Sequence, residues 1–116
     1  MINLNKLSLS SSASSLKVLD EGTGTLVIPA LPAYGDVHGI VTIPHGFASD
    51  DLLFQVSTNG GPSSGVMLPW QSNDGRSFQY AYLDSTNLYI VAEANDSAGF
   101  SSPSTTLTYF YRILIP

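Results

Sequence analysis

The sequence holds no cysteine. That absence excludes disulfides, cysteine-based zinc sites and thiol nucleophiles together. A small domain without covalent staples relies on its apolar core or on association with other chains. Charge is nearly as scarce: Asp, Glu, Lys and Arg make up 11% of the 116 residues, against about 25% in typical soluble domains. The basic side chains are Lys6, Lys17, Arg76 and Arg112, and the net charge is −5. There is no basic stripe to neutralise phosphates, so nucleic acid is not an expected partner. No apolar run approaches the length of a membrane-spanning helix, and no membrane span is expected. The N-terminus lacks the basic-then-apolar pattern of a secretory leader. No segment has a helical period.

What the chain does have is alternation, with Ser, Thr, Gly, Asn and Gln in place of charge. Its length suits one domain. Residues 1–9 alternate weakly, with Ile2 and Leu4 on one face and Leu7 and Leu9 on the other, and the serine-rich run 10–15 follows as a linker. We expect residues 1–19 to form an N-terminal arm that docks on a neighbouring subunit or another protein. Residues 20–116 are expected to form a single β-sandwich domain. Within it, Glu21-Gly22-Thr23-Gly24 reads as a turn between short strands at 16–20 and 25–28. Pro29 and Pro32 stop the second of these.

The clearest pair of strands is 37–43 and 52–58, joined by a loop containing Pro44, His45 and Gly46. Val37, Gly39, Val41 and Ile43 share one face of the first; Leu52, Phe54, Val56 and Thr58 share one face of the second. Further strands are expected at 66–70, 77–83, 88–94 and Thr105–Ile115. A hairpin turn at Asn73-Asp74-Gly75, a turn at 84–87 and loops at 59–65 and 95–104 separate them. The last strand is apolar on both faces, as a central strand is. These signals indicate an all-β fold, an antiparallel β-sandwich or jelly roll of about eight short strands.

Chemistry-bearing constellations are sparse. His38 and His45 lie seven residues apart across Pro44, without a ligand-spaced partner. His38 reads as a strand-face residue and His45 as a loop residue capping backbone groups. Asp50 and Asp51 match no calcium-loop spacing. Asp84 and Glu93 sit in different segments, and no serine has a nucleophile-elbow context. No catalytic residue, cofactor or metal is therefore expected. The aromatic set Trp70, Phe78, Tyr80, Tyr82, Tyr89, Tyr109, Phe110 and Tyr111 reads mostly as core with hydroxyls at the rim. Trp70, beside Pro69 and a turn, is the expected exposed member.

Three places carry a family resemblance. Ile43-Pro44-His45-Gly46-Phe47 is similar to a strand-ending turn, and an apolar strand, Leu52-Leu53-Phe54-Gln55-Val56, follows it. The segment 80–92 pairs two strands around an Asp/Asn turn before a Ser/Pro loop, and the chain closes on an aromatic Tyr-Arg-Ile strand at 109–115. Together, residues 37–116 resemble small β-sandwich modules of tailed-bacteriophage virion proteins, of the tail-fibre and tail-tip type. The chain shows no collagen-like or coiled-coil shaft, so a small separate virion component is expected rather than a whole fibre. The resemblance implies a non-enzymatic structural protein located in the virion. Its partners would be other virion proteins and copies of itself, with a trimer favoured, and a host-surface glycan is a further partner. The residues expected to meet a glycan or partner are Trp70, Asn59, Ser63, Asn95 and Ser97. The alternative is a free carbohydrate-binding module: an exposed Trp/Tyr platform favours it and a buried aromatic set opposes it. A hydrolase ranks third.

Overall fold

Alternating apolar and polar residues leave each strand with one face to bury, and two sheets bury those faces against each other. The computed structural model describes residues 16–48, 50–59, 65–96, 99 and 101–116. Among them are eight strands: β1 (Lys17–Ile28), β2 (Asp36–Pro44), β3 (Leu53–Thr58), β4 (Val66–Met67), β5 (Trp70–Gln71), β6 (Ser77–Leu83), β7 (Asn87–Asn95) and β8 (Thr105–Ile115). The first sheet has the order β1-β8-β3-β4 and the second β2-β7-β6-β5, with every pairing antiparallel. The fold is the all-β sandwich that the alternation predicts.

The first strand pairs with the last and the second with the one before it, as in a long hairpin rolled into two layers. A fully rolled hairpin would go on to pair β3 with β6 and β4 with β5. Here β3–β4 and β5–β6 close as local pairs instead. The segment 66–70, expected as one strand, is two two-residue strands in different sheets. The chain crosses from one layer to the other at Leu68–Pro69, whose peptide bond is cis.

One apolar cluster fills the space between the layers, with Leu26, Val56, Leu107, Tyr109 and Ile113 from the first sheet and Ile43, Leu88, Ile90 and Ala92 from the second. The central strands β7 and β8 each bury a residue on the outer face as well, Val91 and Leu114.

The expected turn at 21–24 is not a turn. β1 runs through it without a break, with a bulge between Val18 and Asp20. Gly22 pairs with Tyr111 and Gly24 with Tyr109, and both rings lie over the glycines, where a Cβ would collide with them. The glycines therefore make room for cross-strand rings, an arrangement that protects a strand glycine from solvent. Thr23 Oγ1 adds a 2.8 Å bond to the Tyr109 carbonyl, and Tyr111 Oη donates to Asp20 Oδ2 at 3.0 Å. β1 also claims residues 17–19, which the sequence reading assigns to the arm. Leu16 leads into the strand, and residues 1–15 of the arm lie outside the described residues.

The sheets come closest where β1 faces β2. Gly39 is buried there, and a Cβ on it would run into the Val27 backbone carbonyl. A backbone atom in a ladder cannot turn aside as a side chain does. Gly39→Ala is expected to lower stability by roughly 1–3 kcal/mol in urea denaturation. Gly46→Ala, at an exposed glycine with open space around it, should leave the midpoint in place. An unshifted Gly39→Ala midpoint would mean that the two layers part freely at this corner.

Candidate ligand-binding site

The loops after β1, β5 and β7 meet at one end of the sandwich and enclose a cleft of about 380 Å³. Trp70 and Asn95, two of the residues expected to meet a ligand, both line it, with Arg76, Gln79, Asp96 and Leu107. Trp70 pairs with Gln79 across β5 and β6, so it shares the inward face of Gln79. It is half-buried rather than an exposed platform. Asn59 does not reach the cleft. Its Oδ1 accepts the Thr108 N–H at 2.8 Å and its own N–H donates to the Thr108 carbonyl at 3.1 Å, extending the β3–β8 ladder. Ser63 and Ser97 lie outside the described residues.

Asp96, read only as part of the loop 95–104, is a structural hub of this end. Its side chain is 1% exposed and lies 3.9 Å from Arg76 Nη1. Its carboxylate accepts the Tyr34 N–H at 2.9 Å, and its own N–H donates to the Gly35 carbonyl at 2.9 Å. Tyr34 has φ +58°, in the left-handed region that a tyrosine rarely adopts, and the carboxylate bond holds it there. Periodicity does not announce a buried carboxylate at a strand end; an Asn-Asp pair looks the same in an open turn.

The outer face of the second sheet carries a second set of groups. Because Gln79, Ala81 and Leu83 point inward, Phe78, Tyr80 and Tyr82 point out, and Tyr89 of β7 pairs with Tyr82. This corrects the expectation of a mostly buried aromatic set: of the tyrosines, Tyr109 and Tyr111 pack on the core, while Tyr80, Tyr82 and Tyr89 form an outward row. Phe110 is likewise exposed, on the first sheet. The Tyr82 and Tyr89 rings stack with centroids 4.7 Å apart, and Tyr80 and Tyr82 with centroids 6.4 Å apart. Tyr82, in the middle, is 45% exposed. Its hydroxyl has no hydrogen-bond partner among the described residues.

Carboxylates hold the two flanking hydroxyls. Tyr80 Oη donates to Glu93 Oε2 at 2.8 Å, and Tyr89 Oη donates to Asp84 Oδ2 at 2.9 Å. Donation to Glu93, with desolvation and the carboxylate's charge, raises the Tyr80 pKa above its usual value. At Tyr89 the Asn87 amide pulls the pKa down, but the bond to Asp84, desolvation and the acid's charge carry it up. Asp84 is held down at about 2 by the backbone N–H groups of Thr86 and Asn87 and by the Tyr89 hydroxyl. The acids on or beside this face are Asp36, Asp84 and Glu93; Arg76, beside its β6 end, is paired with Asp96. His38 stands opposite Glu93.

Asp84 and Glu93 do not converge. Asp84 lies in the turn before β7 and Glu93 near the other end of that strand, and the stretch from Asn87 to Glu93 spans roughly 20 Å at about 3.4 Å per residue. His45 caps backbone: its Nδ1 accepts the Phe47 N–H at 3.3 Å, which leaves Nε2 to donate to the Asp84 carbonyl at 2.9 Å. No group of three or more His, Cys, Asp or Glu residues is placed to hold a metal ion among the described residues. No helix among them is long and apolar enough to cross a membrane.

Comparison with protein-family models, curated proteins and solved structures returns no match for this chain.

Asp84 organises the β6–β7 turn beneath one end of the tyrosine row. A carboxyl whose folded pKa is depressed contributes stability that is complete above its ordinary value and lost as pH falls through the folded one. For Asp84 that window runs from 3.8 down to about 2. NMR titration should give its side-chain carboxyl a midpoint at the bottom of this window, with the Tyr89 ring signals moving alongside. A midpoint at the ordinary carboxylate value would contradict the hydrogen bonds assigned to the turn.

Proposed function

We propose that the protein is a non-enzymatic binding and assembly module of a tailed-phage particle. It holds a neutral host-surface glycan on the outer face of the β2-β7-β6-β5 sheet. The observation that carries this reading is the outward tyrosine row, whose central ring is the most exposed. Tyrosine offers an apolar ring for the C–H face of a sugar and a hydroxyl for its polar edge. The flanking rings are held by Glu93 and Asp84, so little side-chain freedom is lost on binding. The same acids accept sugar hydroxyls and repel anionic sugars. The particle setting is supported by the resemblance of residues 37–116 to virion modules. A free carbohydrate-binding module is the second reading, favoured by the same exposed tyrosines. An oligomeric solution mass supports assembly into a particle, and a monomer supports the free module.

The binding claim is tested on a panel of neutral and sialylated oligosaccharides. Neutral glycans should bind and sialylated ones should not. Tyr82→Ala should weaken binding about tenfold or more, about 1.4 kcal/mol, while the fold is kept and stability falls only by the lost stacking, about 0.2–1 kcal/mol. If no neutral glycan binds, or if Tyr82→Ala binds as the parent does, the tyrosine row is not the site. Turnover of a glycan or ester that is lost on changing Asp84, Glu93 or His45 would overturn the non-enzymatic reading.

A further inference from the structure

Gln79 is 5% exposed, on the inner face of β6. One end of its carboxamide is hydrogen-bonded to the Thr58 hydroxyl of the opposite sheet. The other end has no partner among the described residues, and Gln79 lines the cleft beside Trp70. Buried amides are nearly always satisfied, and an unpaired one calls for a partner from outside the chain. Two more polar residues without a side-chain hydrogen bond among the described residues border the same cleft: Trp70, with its indole N–H, on the inward face, and Asn95 at the rim toward the outer face. The charged groups there are already engaged. Asp96 is paired with Arg76 and bonded to Tyr34, Asp74 is bonded to Ser72 and the Arg76 N–H, and Glu93, which also lines the cleft, accepts the Tyr80 hydroxyl on the outer side. Ile28, Leu107 and the Trp70 ring supply apolar wall.

We infer that this cleft is a second binding site, distinct from the tyrosine row, and that it takes a single neutral pyranose ring. At about 380 Å³ it falls in the lower part of the range of roughly 300–1,000 Å³ typical of small-ligand pockets, which combine apolar walls with a few convergent polar groups. The uncommitted groups are amide and indole, which carry no charge, so the ligand they match is uncharged and rich in hydroxyls. The indole ring supplies an apolar surface for one face of the sugar. This site does not depend on the glycan reading of the outer sheet.

The test is an NMR titration of the ¹⁵N-labelled full chain with D-glucose, D-galactose and N-acetyl-D-glucosamine. At least one sugar should produce saturable shifts of the Trp70 indole N–H and the Gln79 side-chain NH₂. Gln79→Met, close in shape and lacking the amide, should weaken that binding by about tenfold or more. Asn95→Ala, at the rim, should weaken it as well, and it serves if Gln79→Met does not fold. Tyr82→Ala should leave the Trp70 shifts intact. If none of the three sugars produces saturable shifts, the cleft holds solvent only and the inference is overturned. It is also overturned if both cleft variants bind like the parent, or if Tyr82→Ala abolishes the Trp70 shifts.

Discussion

The two inner faces share one apolar cluster, and its register decides where every other side chain goes. Leu88, Ile90, Ala92 and Ile113 have no measurable exposure. In a strand, fixing one residue inward fixes its neighbours outward. With Leu88, Ile90 and Ala92 inside, Tyr89 and Glu93 stand outside; with Ala81 and Leu83 packed on the core, Tyr80 and Tyr82 stand outside. A one-residue slip would bury the tyrosines and expose the aliphatic set. The tyrosine row is thus held in place by the aliphatic packing beneath it, through the backbone of the same two strands.

Tyrosine does two opposite jobs here, and the residue across the strand distinguishes them. Tyr109 and Tyr111 face glycines of β1 and fold over them, closing the inner face where that strand has no side chain. Tyr82 faces Tyr89 and stacks on it, and Tyr80 faces Val91 and stacks on Tyr82, so those rings have side-chain neighbours and remain on the surface. A glycine is an invitation to cover backbone, whereas a second aromatic ring invites stacking.

This explains what was legible in the sequence. Alternation placed β2, β3, β6, β7 and β8 within one residue of their ends, because each has one face that must be buried. The Asn73-Asp74-Gly75 turn was equally clear, with Gly75 at φ +73°. The segment 21–24 was misread because two glycines, with Thr23 between them, resemble a turn until the partner strand is known. The direction of the aromatic rings was hidden for a related reason. Their alternation was visible, but which face of β6 is the inner one depends on contact between layers. Of the expected ligand residues, Trp70 and Asn95 meet at one cleft. Asn59 is committed to a ladder that no local pattern reveals.

Polarity is distributed unevenly along the sandwich. The buried polar residues among those described are Thr58, Gln79 and Asp96. All three come from the half of the sandwich where β1 and β7 finish and β8 begins. The opposite half is closed by Ile43, Leu88 and Ile113, with Phe47, Leu52 and Leu83 packed against them. A chain under pressure for stability alone gains more from apolar side chains at buried positions, since each polar group must recover its lost hydration through hydrogen bonds. Thr58 and Gln79 could be replaced by aliphatic residues of similar volume without altering the alternation that builds the strands. The two ends of the sandwich therefore differ in how they are closed: one by apolar packing, the other with Thr58, Gln79 and Asp96 buried beside a half-buried tryptophan.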